Sequence, residues 1–137
     1  MTAQGGYRSE MLMYYEDTDL TGAVYAGNYF KYFERARDEA VGIDVLKTLM
    51  DKEGLALYVR KMGEMTFKGG AKHADTLVVE SSVEAPSDFR LVFKQRASVK
   101  DRPETIIVET DVEVVCIDMK TQRVAKIPTQ IREALRI

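Results

Sequence analysis

After one short strand, the spacing of apolar residues is helical up to about residue 54 and two-residue beyond it. From Tyr7 to Tyr15 the pattern predicts a strand, with Met11, Met13 and Tyr15 on one face and Glu10, Leu12 and Tyr14 on the other. Residues 16–22 form a polar turn region. A helix is expected from Asn28 to Val41, with Asn28 as N-cap and Gly42 as its stop. Tyr29, Phe33, Ala36 and Ala40 recur at helical spacing and form the expected buried stripe, widened by Tyr32. Lys31, Glu34, Arg35 and Asp38 fall on the opposite side. A shorter helix is expected over Val45–Lys52, closed by Gly54.

Beyond Gly54 the period is two. Strands are predicted near 55–68, 75–85, 88–100 and 104–118, with a short one near 122–127. In the third, Phe89, Leu91, Phe93, Ala97 and Val99 alternate with Arg90, Lys94, Arg96 and Lys100. Turn signals stand between strands at Gly69-Gly70, Pro86-Ser87-Asp88 and Asp101-Arg102-Pro103. Pro128 opens a C-terminal segment with room for a helical turn or two. One long early helix followed by antiparallel strands is an α+β pattern, most economically packed by wrapping the sheet around the helix. The 137 residues suffice for one domain, with 1–6 read as a loose leader.

Composition narrows the chemistry. A net charge of −2 lacks the basic excess of a nucleic-acid footprint, so no nucleic-acid partner is expected. No apolar run approaches the ~20 residues of a membrane helix, and the first residues lack a signal-peptide core, so a soluble cytoplasmic protein without membrane insertion is expected. With one cysteine and one histidine, a Cys/His zinc site or a nucleophile–histidine triad is poorly supplied. Cys116, inside the apolar run 112–117, reads as a buried structural thiol.

The acidic loop before the helix holds the best candidate. Asp19 stands three residues before Gly22 and nine before Asn28, near the start of a helix whose first N–H groups have no intrahelical partner. Such groups can polarise a carbonyl and hold the oxyanion formed on attack. A carboxylate beside them can serve acyl transfer as nucleophile or as general base on water.

The string 14–29 (Tyr14-Tyr15-Glu16-Asp17-Thr18-Asp19 through Gly22-Ala23-Val24-Tyr25-Ala26-Gly27-Asn28-Tyr29), followed by Tyr32-Phe33-Glu34-Arg35-Ala36-Arg37, resembles the signature of the 4-hydroxybenzoyl-CoA thioesterase family. Its nearer likeness is to the YbgC-like acyl-CoA thioesterase branch. The likeness continues through Val59-Arg60-Lys61-Met62, residues 91–96 and 113–118, to Ile127-Pro128. It implies a hot-dog fold, an antiparallel sheet of five or more strands around a central helix. It also implies a homodimer or homotetramer with active sites between chains, and hydrolysis of acyl-CoA to free acid and coenzyme A without metal or cofactor. An acyl-carrier-protein thioesterase and a non-catalytic acyl-CoA-binding module are the alternatives; a carboxylate beside the thioester carbonyl argues against the second.

Carried over by position, Asp19 matches the catalytic aspartate and the Ala26 backbone N–H the carbonyl-polarising donor, with Gly27 and Asn28 following it. Tyr15 matches a tyrosine of the site, and Tyr25 and Tyr29 are expected along the acyl pocket. Lys61, Lys72 and Arg90 are candidates for the phosphates of coenzyme A, while Asp17 is expected to be a turn or surface acid. Two departures stand out. Ala26 replaces a histidine common in the branch, and an extra residue at Gly63-Glu64 suggests a strand bulge. His73, the only histidine, is expected in a solvated turn. No imidazole is therefore expected near Asp19, and no histidine limb in the pH–rate profile.

Overall fold

The computed structural model describes residues 6–137. In chain order it runs β1 (Gly6–Leu12), a 3-10 turn (Tyr15–Asp17), α1 (Asn28–Val41), α2 (Ile43–Glu53), β2 (Leu55–Met62), β3 (Thr66–Phe67), β4 (Thr76–Ser87), β5 (Arg90–Val99), β6 (Val108–Asp118), β7 (Arg123–Ala125) and α3 (Thr129–Leu135). The strands form one antiparallel sheet in the order β1-β4-β5-β6-β2, with β3 and β7 also paired to β6. The sheet curls around α1 in a hot-dog fold. The expected leader lies outside the described residues except for Gly6, which already pairs with Ser82 in β1.

The helical stripe packs where its spacing placed it. Tyr29, Tyr32, Phe33 and Ala36 are buried, and Phe33 is fully so. They join Met13, Leu77 and Val99 in one cluster, while Val41, Leu49, Leu91, Phe93, Ile131 and Leu135 form a second. Ala40 is only half-buried, at the edge of the second cluster. Between the two runs a buried polar seam. The Arg37 Nη1 donates to Gln95 Oε1 at 3.0 Å, and Gln95 Nε2 donates to the Phe33 carbonyl at 2.9 Å and to Ser81 Oγ at 3.1 Å. Gln95 takes an inward position of β5, and these bonds offset the cost of burying its amide.

Several local expectations are corrected. Tyr15 does not share a face with Met11 and Met13, because the chain leaves the strand after Leu12; Met13 is 2% exposed and Tyr15 is 79% exposed. Side chains turn it: Asp17 Oδ2 accepts the Tyr14 N–H at 2.7 Å, and Thr18 Oγ1 donates to the Tyr15 carbonyl at 2.7 Å. The N-cap of α1 is Gly27, not Asn28, whose amide instead reaches back to the Asp17 carbonyl at 2.9 Å. Phe89 lies in an exposed turn before β5. The bulge sits between Val59 and Lys61, not at Gly63, which follows the end of β2. Gly42, at φ 105°, ends α1 and begins α2 with no other residue between, a conformation that suits glycine.

On the solvent face, acids and bases alternate across the strands, as in Glu80↔Arg96↔Glu109 and Ser82↔Lys94↔Asp111. A groove of about 950 Å³ on this face is lined by such residues, Lys94, Arg96, Glu109 and Asp111 among them. Its mutually compensating charges suit water rather than a ligand. The edges of the sheet are β1 and β2, each paired on one side only among the described residues. On β2, Tyr58 and Val59 are exposed.

Candidate active site

The loop between the 3-10 turn and α1 is tied to its surroundings by backbone bonds. Thr18 bridges Val24, the Asp19 N–H donates to the Ala23 carbonyl at 2.9 Å, and the Gly22 N–H donates to the Asp19 carbonyl at 3.0 Å. Gly22 closes this small loop with φ 84°. On its other side, Ala23 bridges Lys72, and the Val24 N–H donates to the Ala71 carbonyl at 2.8 Å. Asp19 thus lies on a narrow ladder of three chain segments, anchored inward by buried Val24 and Ala71.

The Asp19 carboxylate is exposed. Its Oδ1 accepts both the Thr21 N–H at 2.8 Å and the Thr21 hydroxyl at 2.6 Å. These two bonds hold its pKa below the ordinary carboxylate value, so Asp19 is anionic at neutral pH. One oxygen is fixed by Thr21, and the other has no hydrogen bond among the described residues. A carboxylate held this way can attack a carbonyl carbon or take a proton from water.

The start of α1 supplies the complementary charge. The Tyr25 N–H donates to the Asp17 carbonyl and the Asn28 N–H to the Tyr25 carbonyl, each at 2.9 Å, while the Tyr29 N–H is directed to the Ala26 carbonyl at 3.2 Å. The Ala26 and Gly27 N–H groups find no acceptor among the described residues. They stand at the positive end of a 14-residue helix. The exposed Tyr25 ring packs over Gly27, where a β-carbon would lie 2.6 Å from Tyr25 Cε2. Glycine therefore lets the ring lie close against this residue.

Asp17 serves the site from behind. Its carboxylate accepts from the Tyr32 hydroxyl at 2.6 Å as well as from the Tyr14 N–H. Partial burial pushes its pKa up, but these two bonds, with Lys31 and Arg35 nearby, outweigh that and hold it below the ordinary value. The Tyr32 hydroxyl is raised by burial and by Asp17. Asp17 is a turn acid, as expected, and also joins the loop to the helix.

Other expected ligand residues fall elsewhere. Tyr29 is a core residue, 1% exposed, with its hydroxyl accepting the Ala71 N–H at 3.3 Å and its ring edge-on to Tyr32 and Phe67. It does not line an open pocket. Arg90 is ion-paired to Glu113 at 2.9 Å, and Arg60 shares that carboxylate. The Val99 end of β5 is the end near the loop, through Leu77 and Met11, so Arg90 lies about 30 Å away along the strand. Lys61 is exposed and pairs with Glu113 in the same far half of the sheet. Neither basic residue is beside Asp19 of its own chain. Cys116 is buried with its thiol pushed up by burial, as a structural cysteine should be.

His73 makes one ring contact towards this loop. It does lie in an exposed turn, but its ring centroid is 5.9 Å from that of Tyr15, with the planes at 57°. The two are fifty-eight positions apart, so no spacing rule links them; the hydrogen bonds of Met13 with Ala74 and Asp75 and the pairing of 71–72 with 23–24 do.

The sequence model of the Thioesterase-like superfamily matches residues 15–135, which include the whole ladder and helix start. The chain belongs to that superfamily. Among other members, it is 30% identical over 131 residues to "Acyl-CoA thioesterase YbgC" of Haemophilus influenzae, covering 94% of this chain and 93% of the relative. It is 31% identical over 126 residues to "Acyl-CoA thioester hydrolase YbgC" of Escherichia coli O157:H7, covering 91% and 92%. In fold it is similar to Slr0204, a 1,4-dihydroxy-2-naphthoyl-CoA thioesterase from Synechocystis, with a TM-score of 0.85, 20% identity and 96% of each chain covered. The match to superfamily members thus runs over most of the chain, not through one motif.

Proposed function

We propose that this protein hydrolyses acyl-CoA thioesters to free carboxylic acid and coenzyme A. The observation that carries the reading is an anionic carboxylate, Asp19, on the loop that leads into two N–H groups, Ala26 and Gly27, without an acceptor among the described residues, at the head of α1. The thioester oxygen accepts from the helix start, which grows more favourable as charge develops on it. Asp19 then attacks the carbonyl carbon or draws a proton from an attacking water. Tyr15, Tyr25 and Asn28 border the same loop, and the exposed Tyr15 and Tyr25 rings are available to the acyl or pantetheine chain.

The working unit in this reading is a homodimer in the cytoplasm. β2 has an unpaired edge among the described residues, and its exposed Tyr58 and Val59 are poorly suited to water. Pairing of β2 with β2 of a second copy would continue the sheet. It would also give Lys61 and Arg90, distant from Asp19 within one chain, a route to coenzyme A phosphates bound by the other. Thiol release across a panel of acyl-CoA substrates tests the activity. Asp19→Asn should abolish most of it, and full activity in that variant would reject the assignment.

A further inference from the structure

One aromatic pair, Tyr15 and His73, joins the 3-10 turn before the Asp19 loop to the turn that follows Lys72. Their rings are 5.9 Å apart and both residues are exposed, so neither is held there by burial. The backbone does the holding. The Ala74 N–H donates to the Met13 carbonyl at 2.9 Å, and the Met13 N–H donates to the Asp75 carbonyl at 2.8 Å. Within the turn, Asp75 Oδ2 accepts the Lys72 N–H at 2.8 Å. Ala74, directly after His73, has φ 73°, a left-handed conformation that costs a non-glycine residue about 1–2 kcal/mol. Such strain persists where surrounding bonds impose it, and here they present one imidazole next to the Asp19 loop.

The ladder sets the distance. Asp19 bonds to Ala23, and Ala23 bridges Lys72, so the backbone beside His73 is two strand spacings from that of Asp19, roughly 10 Å. The Asp19 segment and the turn that carries His73 thus flank the same 23–24 segment, one on either side. The titratable groups on the elements packed around His73 are Tyr15, Glu16 and Asp17 on the 3-10 turn, Asp19 on the loop, and Lys72 and Asp75 on its own turn.

We infer that His73, braced by Tyr15, is the general acid that protonates the departing sulfur. The inference rests on the acyl-CoA reading of the Asp19 loop. Asp19 or a water activated by it forms the new C–O bond, and the carbonyl pair moves to oxygen under the Ala26 and Gly27 N–H groups. The C–S bond then breaks with its electron pair on sulfur. Sulfur takes the proton of the His73 imidazolium, and the neutral imidazole regains one from solvent. Where water attacks, its proton leaves through Asp19; where Asp19 attacks, water then cleaves the acyl–aspartyl anhydride and restores the carboxylate, so either way the sum is thioester plus water to acid plus thiol.

A thiolate is a fair leaving group, since thiols ionise near pH ~8.5, so the benefit lies at or below the low end of general-acid effects. His73→Ala should lower kcat/KM for acyl-CoA by about 10- to 100-fold. The decisive comparison uses the same acyl group on an aryl thiol, whose more acidic sulfur needs no proton to leave. With that substrate the loss should shrink to within about threefold, whereas Asp19→Asn should be defective on both. His73→Gln, which keeps a hydrogen-bond donor but no transferable proton, should behave as His73→Ala does. An equal loss on both thioesters, or no loss on acyl-CoA while the wild-type protein is active, would overturn the histidine assignment alone. Absence of thiol release by the wild-type protein would overturn the acyl-CoA reading and His73's role together.

Discussion

The Asp17 carboxylate accepts a 2.6 Å hydrogen bond from the Tyr32 hydroxyl, joining the loop that carries Asp19 to the buried face of α1. The Asp17 backbone carbonyl accepts from the Tyr25 N–H and the Asn28 amide as well, so one residue sets the path from the 3-10 turn to the helix start. Two aspartates two residues apart therefore divide the work. Asp17 faces in and holds the turn; Asp19 faces out, and in the proposed function it is the residue that reacts.

That division predicts opposite phenotypes. Asp19→Asn should lose on the order of 10²–10⁴ in kcat with little change in melting temperature. Asp17→Asn should keep most of its activity while melting earlier, because a charge-assisted bond from Tyr32 becomes a neutral one. Kinetics and thermal denaturation on both variants check the pair. An active, well-folded Asp19→Asn protein beside an inactive Asp17→Asn one would reverse the assignment.

Tyr32→Phe tests the same link from the helix side. Asp17 keeps the Tyr14 N–H but loses its second donor in a partly buried place, a loss of about 1–3 kcal/mol. Denaturant titration should show this as a lower midpoint with an unchanged slope. A midpoint equal to that of the wild type would mean that water replaces the tyrosine without cost.

Stability should fall in acid. Asp17, Glu10, Glu113 and Asp19 are all held below their ordinary values by hydrogen bonds, to Tyr32 and Tyr14, to Arg8 and Lys100, to Arg60 and Arg90, and to Thr21. For a depressed carboxylate the contribution is present above the unfolded pKa of about 4 and is lost as pH falls through the folded one. Asp38 has the opposite sign. Burial and the nearby Glu34 raise it, so its ionisation costs stability at neutral pH. Asp38→Asn should therefore melt higher than wild type at pH 7, and the gap should close near pH 4 and below. Thermal scans across that range measure both effects.

A dimer is expected at micromolar concentration. Light scattering or sedimentation should return twice the chain mass, and a proline at Val59, where β2 is exposed, should shift the equilibrium towards monomer with parallel loss of activity. A fully active monomer would separate the site from the β2 edge.

Much of this was legible in the linear pattern. Helical spacing at Tyr29, Phe33 and Ala36 and the two-residue period of Leu91, Phe93, Ala97 and Val99 each determine a buried face by local geometry alone. Gly42 and Gly54 mark helix ends because few other residues adopt their φ values without strain. The family likeness singled out Asp19, whose loop leads into the start of α1. What failed was local detail where side chains compete with the backbone. Asp17 and Thr18 bend the chain at Tyr15, and Asn28 bonds backwards to Asp17 instead of capping.

Pairing across the sheet decided the rest. Tyr29 and Tyr25 are both aromatic and four residues apart, yet one is core and the other lies open over Gly27, because only Tyr29 points at the Ala71 segment. Arg90 is held away from the Asp19 loop by the direction of β5, and the turn that carries His73 is set beside Tyr15 by the bonds of Met13 with Ala74 and Asp75. Periodicity reports which face of an element is buried, since that depends on neighbours within a few residues. Which distant segment then lies against that face depends on register and strand order, which are set only when the sheet closes around α1.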